Sequence, residues 1–289
     1  MVFGMAAAVS VFLPVLRLAW RSGWLILWFC LLLAGCAALP GDQIADTAAG
    51  NIEFSEIGGA EPAVVFEAGT DNYKEIWNKV YPEIARTNTV FAYDRPGIGR
   101  SGPTRQPRDG LTIIEDLRAI LRGRHLAPPY VLVGYSAGGL YMQLYARRYP
   151  AEVAGLVLVD PTHPLQFEGA GAMKNRSAFV NFVVSAALSG PQKAEFDALA
   201  ETGREVLASP PLAVGLPAVI LVAPETAKTK IAAFDNAKRA DFARLYPSAT
   251  IRDIDSGHDV PQENPQAVID AIRDVLARIQ AERLRDHSS

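Results

Sequence analysis

The stretch Tyr130-Val131-Leu132-Val133-Gly134-Tyr135-Ser136-Ala137-Gly138-Gly139 decides how this chain reads. Tyr130–Val133 has the apolar composition of a buried strand. A G-x-S-x-G pattern over Gly134–Gly138 follows at once, and a helical stretch from Gly139 to Tyr149 stops at Pro150. The pentapeptide alone arises by chance, but with a strand before it and a helix after it the pattern predicts a sharp turn that forces the central serine into a strained backbone conformation. Small flanking residues relieve the crowding and leave the Ser136 hydroxyl exposed at the C-terminal end of the sheet. The helix N-terminus beneath it favours negative charge.

Working outward, Ala63–Phe66, Thr89–Tyr93, Leu156–Val159 and Ala218–Val222 are short, near-continuous apolar runs. Such runs suit strands buried on both faces of a parallel sheet. Ile52–Ile57 reads as an outer strand and Thr250–Ile254 as a late one. Helical spacing links Tyr73, Ile76, Trp77, Val80, Tyr81 and Ile84. Thr112 and Glu115 match a capping box ahead of Leu117, Ile120 and Leu121. Asn264 is placed to cap a last helix that has Pro265 at its first position. Strand–helix alternation predicts an α/β fold, an open, mostly parallel, doubly wound sheet. The 57 residues between Val159 and Pro217 carry no strand pattern, too long a stretch for a plain loop. Phe179, Phe182, Val183 and Ala186 suggest one helix there, and Phe196, Leu199, Val206 and Leu207 another. We expect an inserted helical cap over about 164–215, or alternatively surface helices packed on the sheet.

A serine needs a base to act as a nucleophile. Of the four histidines, His125 ends a helix on the far side, His163 lies at the entrance to the expected cap and His287 is in a polar tail. His258, in Ser256-Gly257-His258, sits between the last strand and the last helix, where it reaches the sheet edge that carries Ser136. The sequence Gly97-Ile98-Gly99-Arg100-Ser101-Gly102 fits the G-x-G-x-x-G of dinucleotide sites, but Pro103 and Pro107 follow where a helix should open. We read it, with Asp94, as a turn in the site wall.

Five segments together carry a family likeness: Phe66-Glu67-Ala68-Gly69-Thr70, Tyr93-Asp94-Arg95-Pro96-Gly97-Ile98-Gly99-Arg100-Ser101, the serine turn, Gly155-Leu156-Val157-Leu158-Val159-Asp160-Pro161 and Ser256-Gly257-His258. Their order resembles the α/β-hydrolase fold family, in its serine hydrolase and esterase-like branch, over roughly 52–283. The resemblance implies a Ser136 nucleophile, a His258 base, an acid, and an oxyanion hole formed by the N–H groups of Thr70 and Ala137. Where many relatives carry His-Gly before the first of these donors, this chain has Ala68-Gly69. For the acid, many members place Asp after the strand matching Ala218–Val222, where this chain offers only Glu225. Asp160, ending the strand beside the serine turn, is the position used by other branches. We assign Asp160 and keep Glu225 as the alternative.

These residues imply a serine hydrolase, a carboxylesterase for small to medium uncharged esters, using no cofactor and no metal. Phe179, Phe182, Phe196 and Leu199 would line an apolar pocket. An aminopeptidase of the proline-iminopeptidase kind would use the same residues but needs an acidic cluster in the cap. Glu168, Glu195, Asp197, Glu201 and Glu205 are available but read as solvated helix faces. A non-catalytic ligand receptor or scaffold on the same fold is the third reading.

Composition bounds these readings. Apolar residues make up 49% and charged residues 20% of 289, which excludes disordered and fibrous classes. A net charge of −3 without long Lys/Arg runs argues against a nucleic-acid partner. Residues 1–35 carry only Arg17 and Arg21 as charges and include an apolar core, Leu25–Leu33, shorter than a spanning helix needs. Leu33-Ala34-Gly35-Cys36 resembles the bacterial lipobox, with Cys36 lipidated after cleavage. We therefore expect residues 1–35 to be a lipoprotein-type signal peptide, or else an uncleaved membrane anchor. A tether over 36–50 and a hydrolase domain over 51–285 would follow. The protein would sit in the cell envelope, tethered to the membrane on its extracytoplasmic side, facing the periplasm if the source is Gram-negative. Both cysteines, Cys30 and Cys36, lie at this end, so the domain has no disulfide.

Overall fold

A computed structural model describes residues 38–172, 175, 188 and 190–286. Eight strands form one sheet: β1 (Asp42–Thr47), β2 (Gly50–Ile57), β3 (Ala60–Glu67), β4 (Asn88–Tyr93), β5 (Tyr130–Tyr135), β6 (Val153–Val159), β7 (Ala218–Val222) and β8 (Thr250–Asp253). Their order across the sheet is β1-β2-β4-β3-β5-β6-β7-β8. β2 runs antiparallel to both β1 and β4, and every other pairing is parallel. Among the described residues the α-helices are α1 (Tyr81–Ile84), α2 (Gly110–Gly123), α3 (Ala137–Arg148), α4 (Gly190–Ala208), α5 (Lys230–Leu245), α6 (Val260–Glu263) and α7 (Pro265–Asp286).

The sheet is doubly wound because its central strands are apolar on both sides. Val131 and Val133 join Phe66, Val157 and Val219 in one core, with Trp77, Tyr81 and the Val268, Ile272 and Val275 stripe of α7. Leu132, Leu158 and Ile220 point the other way, against Leu117 of α2, Leu140 and Leu144 of α3, and Phe242 of α5. This two-residue alternation is the pleat of each strand used on both faces.

Three expectations need correction. Residues 42–47, expected within a tether, form the edge strand β1, paired in register from Asp42↔Ser55 to Thr47↔Gly50. β1, Asp-Gln-Ile-Ala-Asp-Thr, holds only two apolar residues and buries none of its side chains fully, so no apolar run announces it. Helix α2 begins at Gly110, capped by Asp109, whose Oδ1 accepts the Thr112 N–H at 2.9 Å. Thr112 is thus inside the first turn, and its hydroxyl donates to Asp109 Oδ2 at 3.0 Å. Glu195 is fully buried instead of lying on a solvated helix face.

Within the expected cap, Phe179, Phe182, Val183 and Ala186 lie outside the described residues. The second helix is α4, which packs Leu199 and Val206 into the core beside α2 and α3. Thr202 Oγ1 accepts the Gly110 N–H at 3.0 Å, and a Cβ on Gly203 would stand 1.9 Å from the Pro164 carbonyl oxygen. These close approaches fix α4 against the body of the domain.

The cap of α2 yields a stability test. Asp109→Ala should cost about 1 kcal/mol in urea unfolding, the usual effect of losing an N-cap acceptor. Thr112→Ala should cost less than half of that. The reverse order would restore Thr112 as the cap.

Candidate active site

Ser136 joins β5 to α3 with φ 53° and ψ −121°. A non-glycine residue at positive φ is strained and persists only where its surroundings hold it. Glycine makes the turn possible on both sides: a Cβ on Gly134 would lie 2.5 Å from the Gly138 carbonyl oxygen, and one on Gly138 2.5 Å from those of Ala68 and Glu67. The Ser136 carbonyl accepts the N–H groups of Gly139 and Thr162, at 3.0 and 2.9 Å, which ties the turn to the segment after β6.

That tie brings Asp160 to the site. Asp160 also sits at positive φ, 36°, with its N–H donated to the Leu221 carbonyl at 2.8 Å. Its side chain is almost fully buried and has four donors in reach. Oδ1 accepts from Ala223 N–H at 3.1 Å and Arg239 Nε at 2.8 Å. Oδ2 accepts from Arg239 Nη2 at 2.9 Å and His258 Nδ1 at 2.6 Å. Burial alone would raise the Asp160 carboxyl, but the hydrogen bonds and charges of Arg239 and His258 outweigh it and hold it below the usual carboxylate range. An ionised carboxylate only accepts, so Nδ1 of the neutral His258 ring carries the proton and Nε2 is left bare. Nε2 lies 3.0 Å from Ser136 Oγ, which donates to it.

The His258 ring packs on Tyr135, with centroids 5.2 Å apart. Its loop is fixed from α6, where Glu263 Oε2 accepts the Gly257 N–H at 2.6 Å. Across the turn, Gly69 lies so close to Ser136 that a Cβ there would meet Ser136 Cβ at 3.4 Å. Thr70 is therefore beside the serine, and its buried Oγ1 has no hydrogen-bond partner among the described residues. Ala137 opens α3, where first-turn N–H groups have no acceptor within the helix.

Ser136, Asp160 and His258 line a cavity of about 290 Å³ together with Thr162, His163, Phe167 and Phe242. Glu225 and Asp235 line it too, so its wall is more polar than the apolar pocket expected. Glu225 does not pair with His258: its backbone N–H and carbonyl are held by the Asn236 side chain, both at 2.8 Å. Phe196 stacks edge-on against Phe167 at 5.4 Å, and Leu199 is in the core.

The remaining candidates take other parts. Burial pushes His163 down to about 4. Its Nδ1 accepts the Leu165 N–H, so its Nε2–H donates to Asp241 Oδ2 at 3.1 Å. Asp94 accepts the Lys74 N–H at 2.8 Å, is pushed up to about 7 by burial, and lies outside the cavity lining. The Gly97–Gly102 segment closes on itself, Gly97 N–H to Gly102 carbonyl at 2.8 Å, and opens no helix. His287 lies outside the described residues. Among the described residues, no group of His, Cys, Asp and Glu is arranged to hold a metal.

Sequence reasoning assigned no role to Arg239 or Arg95 and read Glu195 as part of a solvated helix face. Arg239 sits mid-helix among other charges and gives no local sign that it faces Asp160. Arg95 did carry a signal, a second charge directly behind Asp94 at the end of the apolar run Val90–Tyr93.

The sequence profile of the alpha/beta hydrolase fold family matches residues 62–213. Uncharacterized protein YqjL of Bacillus subtilis is 34% identical over 104 residues, covering 36% of this chain and 41% of that protein. The chain thus spans less than half the length of this curated relative. An esterase from Thermogutta terrifontis superimposes with a TM-score of 0.59 at 22% identity, covering 82% of this chain and 98% of the other. The epoxide hydrolase CorEH does so at 0.60 and 19%, covering 82% and 98%. The profile spans more than half of the 289 residues, and the chain belongs to the alpha/beta hydrolase fold family.

Proposed function

We propose that this protein is a serine hydrolase acting on carboxylic esters through an acyl-Ser136 intermediate. The observation that carries the reading is the continuous pair of hydrogen bonds Ser136 Oγ–His258 Nε2 and His258 Nδ1–Asp160 Oδ2 at the wall of a cavity. Ser136 Oγ attacks the ester carbonyl carbon while His258 Nε2 takes its proton. The carbonyl electron pair moves onto oxygen, facing the N–H groups of Thr70 and Ala137, a preorganised pair of donors. Collapse breaks the bond to the leaving alkoxide, which takes the proton from His258 Nε2. Water then repeats the sequence on the acyl-serine and releases the acid.

Charge in the cavity argues for substrate character. Arg239 neutralises Asp160, so Glu225 and Asp235 leave the wall acidic. An anionic substrate meets like charge, and a neutral ester does not. The aminopeptidase reading loses one of its five candidate acids, because Glu195 is buried against Arg95 and Arg108.

A fluorophosphonate probe should label Ser136 in the pure protein, and neutral short-to-medium esters should give higher kcat/KM than polyanionic ones. A folded protein that resists labelling would favour a ligand receptor, and preference for polyanions would overturn the substrate assignment. Asp160→Asn should lower kcat by about four orders of magnitude through the wrong His258 tautomer, while Glu225→Gln should stay within about threefold. The opposite pattern would move the acid to Glu225. We further propose that Cys36 is lipidated; no described helix is long and apolar enough to cross a membrane. Cys36→Ser should then lose metabolic palmitate labelling, and a wild type that never labels would point to an uncleaved anchor.

A further inference from the structure

The buried charges that the mechanism leaves unused converge on one side chain. Arg95 follows β4, is 2% exposed, and makes hydrogen bonds through all three of its nitrogens. Nε reaches both oxygens of Glu195 at 3.0 Å, and Nη2 lies 2.9 Å from Glu195 Oε2. Nη1 donates to Glu67 Oε1 at 2.6 Å and the Ala68 carbonyl at 2.9 Å; Nη2 also donates to the Gly69 carbonyl at 2.8 Å. Glu67 takes the Tyr93 hydroxyl on its other oxygen at 2.7 Å, and Glu195 takes Arg108 Nη2 at 2.6 Å.

Two of those acceptors are the consecutive carbonyls of Ala68 and Gly69, directly before Thr70. The peptide joining Gly69 and Thr70 is trans. In a trans peptide the C=O and N–H point in opposite directions. Holding the Gly69 carbonyl on Arg95 therefore aims the Thr70 N–H away from Arg95. The Ser136 side lies close to that loop, as the 3.4 Å approach of a Gly69 Cβ to Ser136 Cβ shows. Arg95 itself cannot swing, because Glu195 grips it from α4 and the Tyr141 ring lies 5.7 Å away.

We infer that Arg95, gripped by Glu195 of α4, is a positioning residue that aims the Thr70 N–H at the oxygen of the reacting carbonyl. The inference rests on the serine-hydrolase reading above. It makes α4, which lines a different part of the domain, a determinant of turnover: Glu195 touches no substrate yet sets the direction of an oxyanion donor 125 residues earlier in the chain. The Thr70 donor acts on charge that develops only in the transition state, so misaiming it lowers kcat and leaves substrate binding alone.

The test compares wild type, Glu195→Gln and Glu195→Asp. The aspartate keeps the buried charge, so Arg95 and Arg108 are not left unpaired, but it withdraws the carboxylate by one methylene. Active sites are titrated with the fluorophosphonate, so that kcat is counted per competent Ser136 and any unfolded fraction drops out. With a p-nitrophenyl ester, both variants should lose about 10- to 100-fold in kcat at a KM within about twofold of wild type. Inhibition by a trifluoromethyl ketone, which forms a tetrahedral oxyanion on serine, should weaken by the same factor. Unchanged kcat per site, or a loss expressed in KM alone, would overturn the inference. Failure of both variants to give any titratable enzyme would also overturn it, since the contact would then serve the fold. A wild type that neither labels nor turns over an ester would instead remove the serine-hydrolase reading itself.

Discussion

Everything at this site depends on one strained residue, Ser136 at φ 53° between β5 and α3. Such a conformation costs on the order of 1–3 kcal/mol and survives only when packing on several sides prevents relaxation. Gly134 and Gly138 admit the close approaches that hold it, and the contacts of the turn draw in the parts the site requires. Gly138 lies against the carbonyls of Ala68 and Glu67, which brings the Thr70 loop alongside. The Ser136 carbonyl receives Thr162 N–H, which brings the end of β6, and with it Asp160. One turn therefore sets the positions of the Ser136 hydroxyl, the Thr70 loop and Asp160 together. The parallel register of β5, β6 and β7 places their C-terminal ends side by side.

Two buried ionic groups flank that turn. On one side Asp160 is shared between His258 and the paired nitrogens of Arg239. On the other, Glu67, Arg95, Glu195 and Arg108 form a chain from β3 to α4. Buried ion pairs return little net stability, because desolvation consumes much of the attraction. Their value here is directional: each guanidinium offers a rigid fork of donors that fixes the orientation of the carboxylates and carbonyls it meets.

How much of this could be read from the chain depends on the range of the signal. The apolar runs from Ala63 to Val222 announced the central strands because burial on both faces leaves few polar residues in them. The turn at Ser136 and the late position of His258 made their meeting legible from order alone, and Asp160 followed from ending the neighbouring strand. β1 was illegible because an exposed edge strand needs no apolar face. Asp109 is hard to tell from Thr112 in the sequence, since two residues three positions apart offer similar capping chemistry. Glu195 and Arg239 were hidden for a different reason. Their partners are 100 and 79 residues distant, and a charged residue on a helix looks the same in sequence whether it faces water or a buried ion.

The account stands on Ser136 as the reacting nucleophile, and the most direct measurement is kcat/KM of Ser136→Ala against wild type on a neutral p-nitrophenyl ester, with circular dichroism confirming that both are folded. Removing the hydroxyl leaves the cavity, His258 and the loop donors in place. We predict a loss of about 10⁴-fold or more. A folded Ser136→Ala protein within tenfold of wild type would contradict the account.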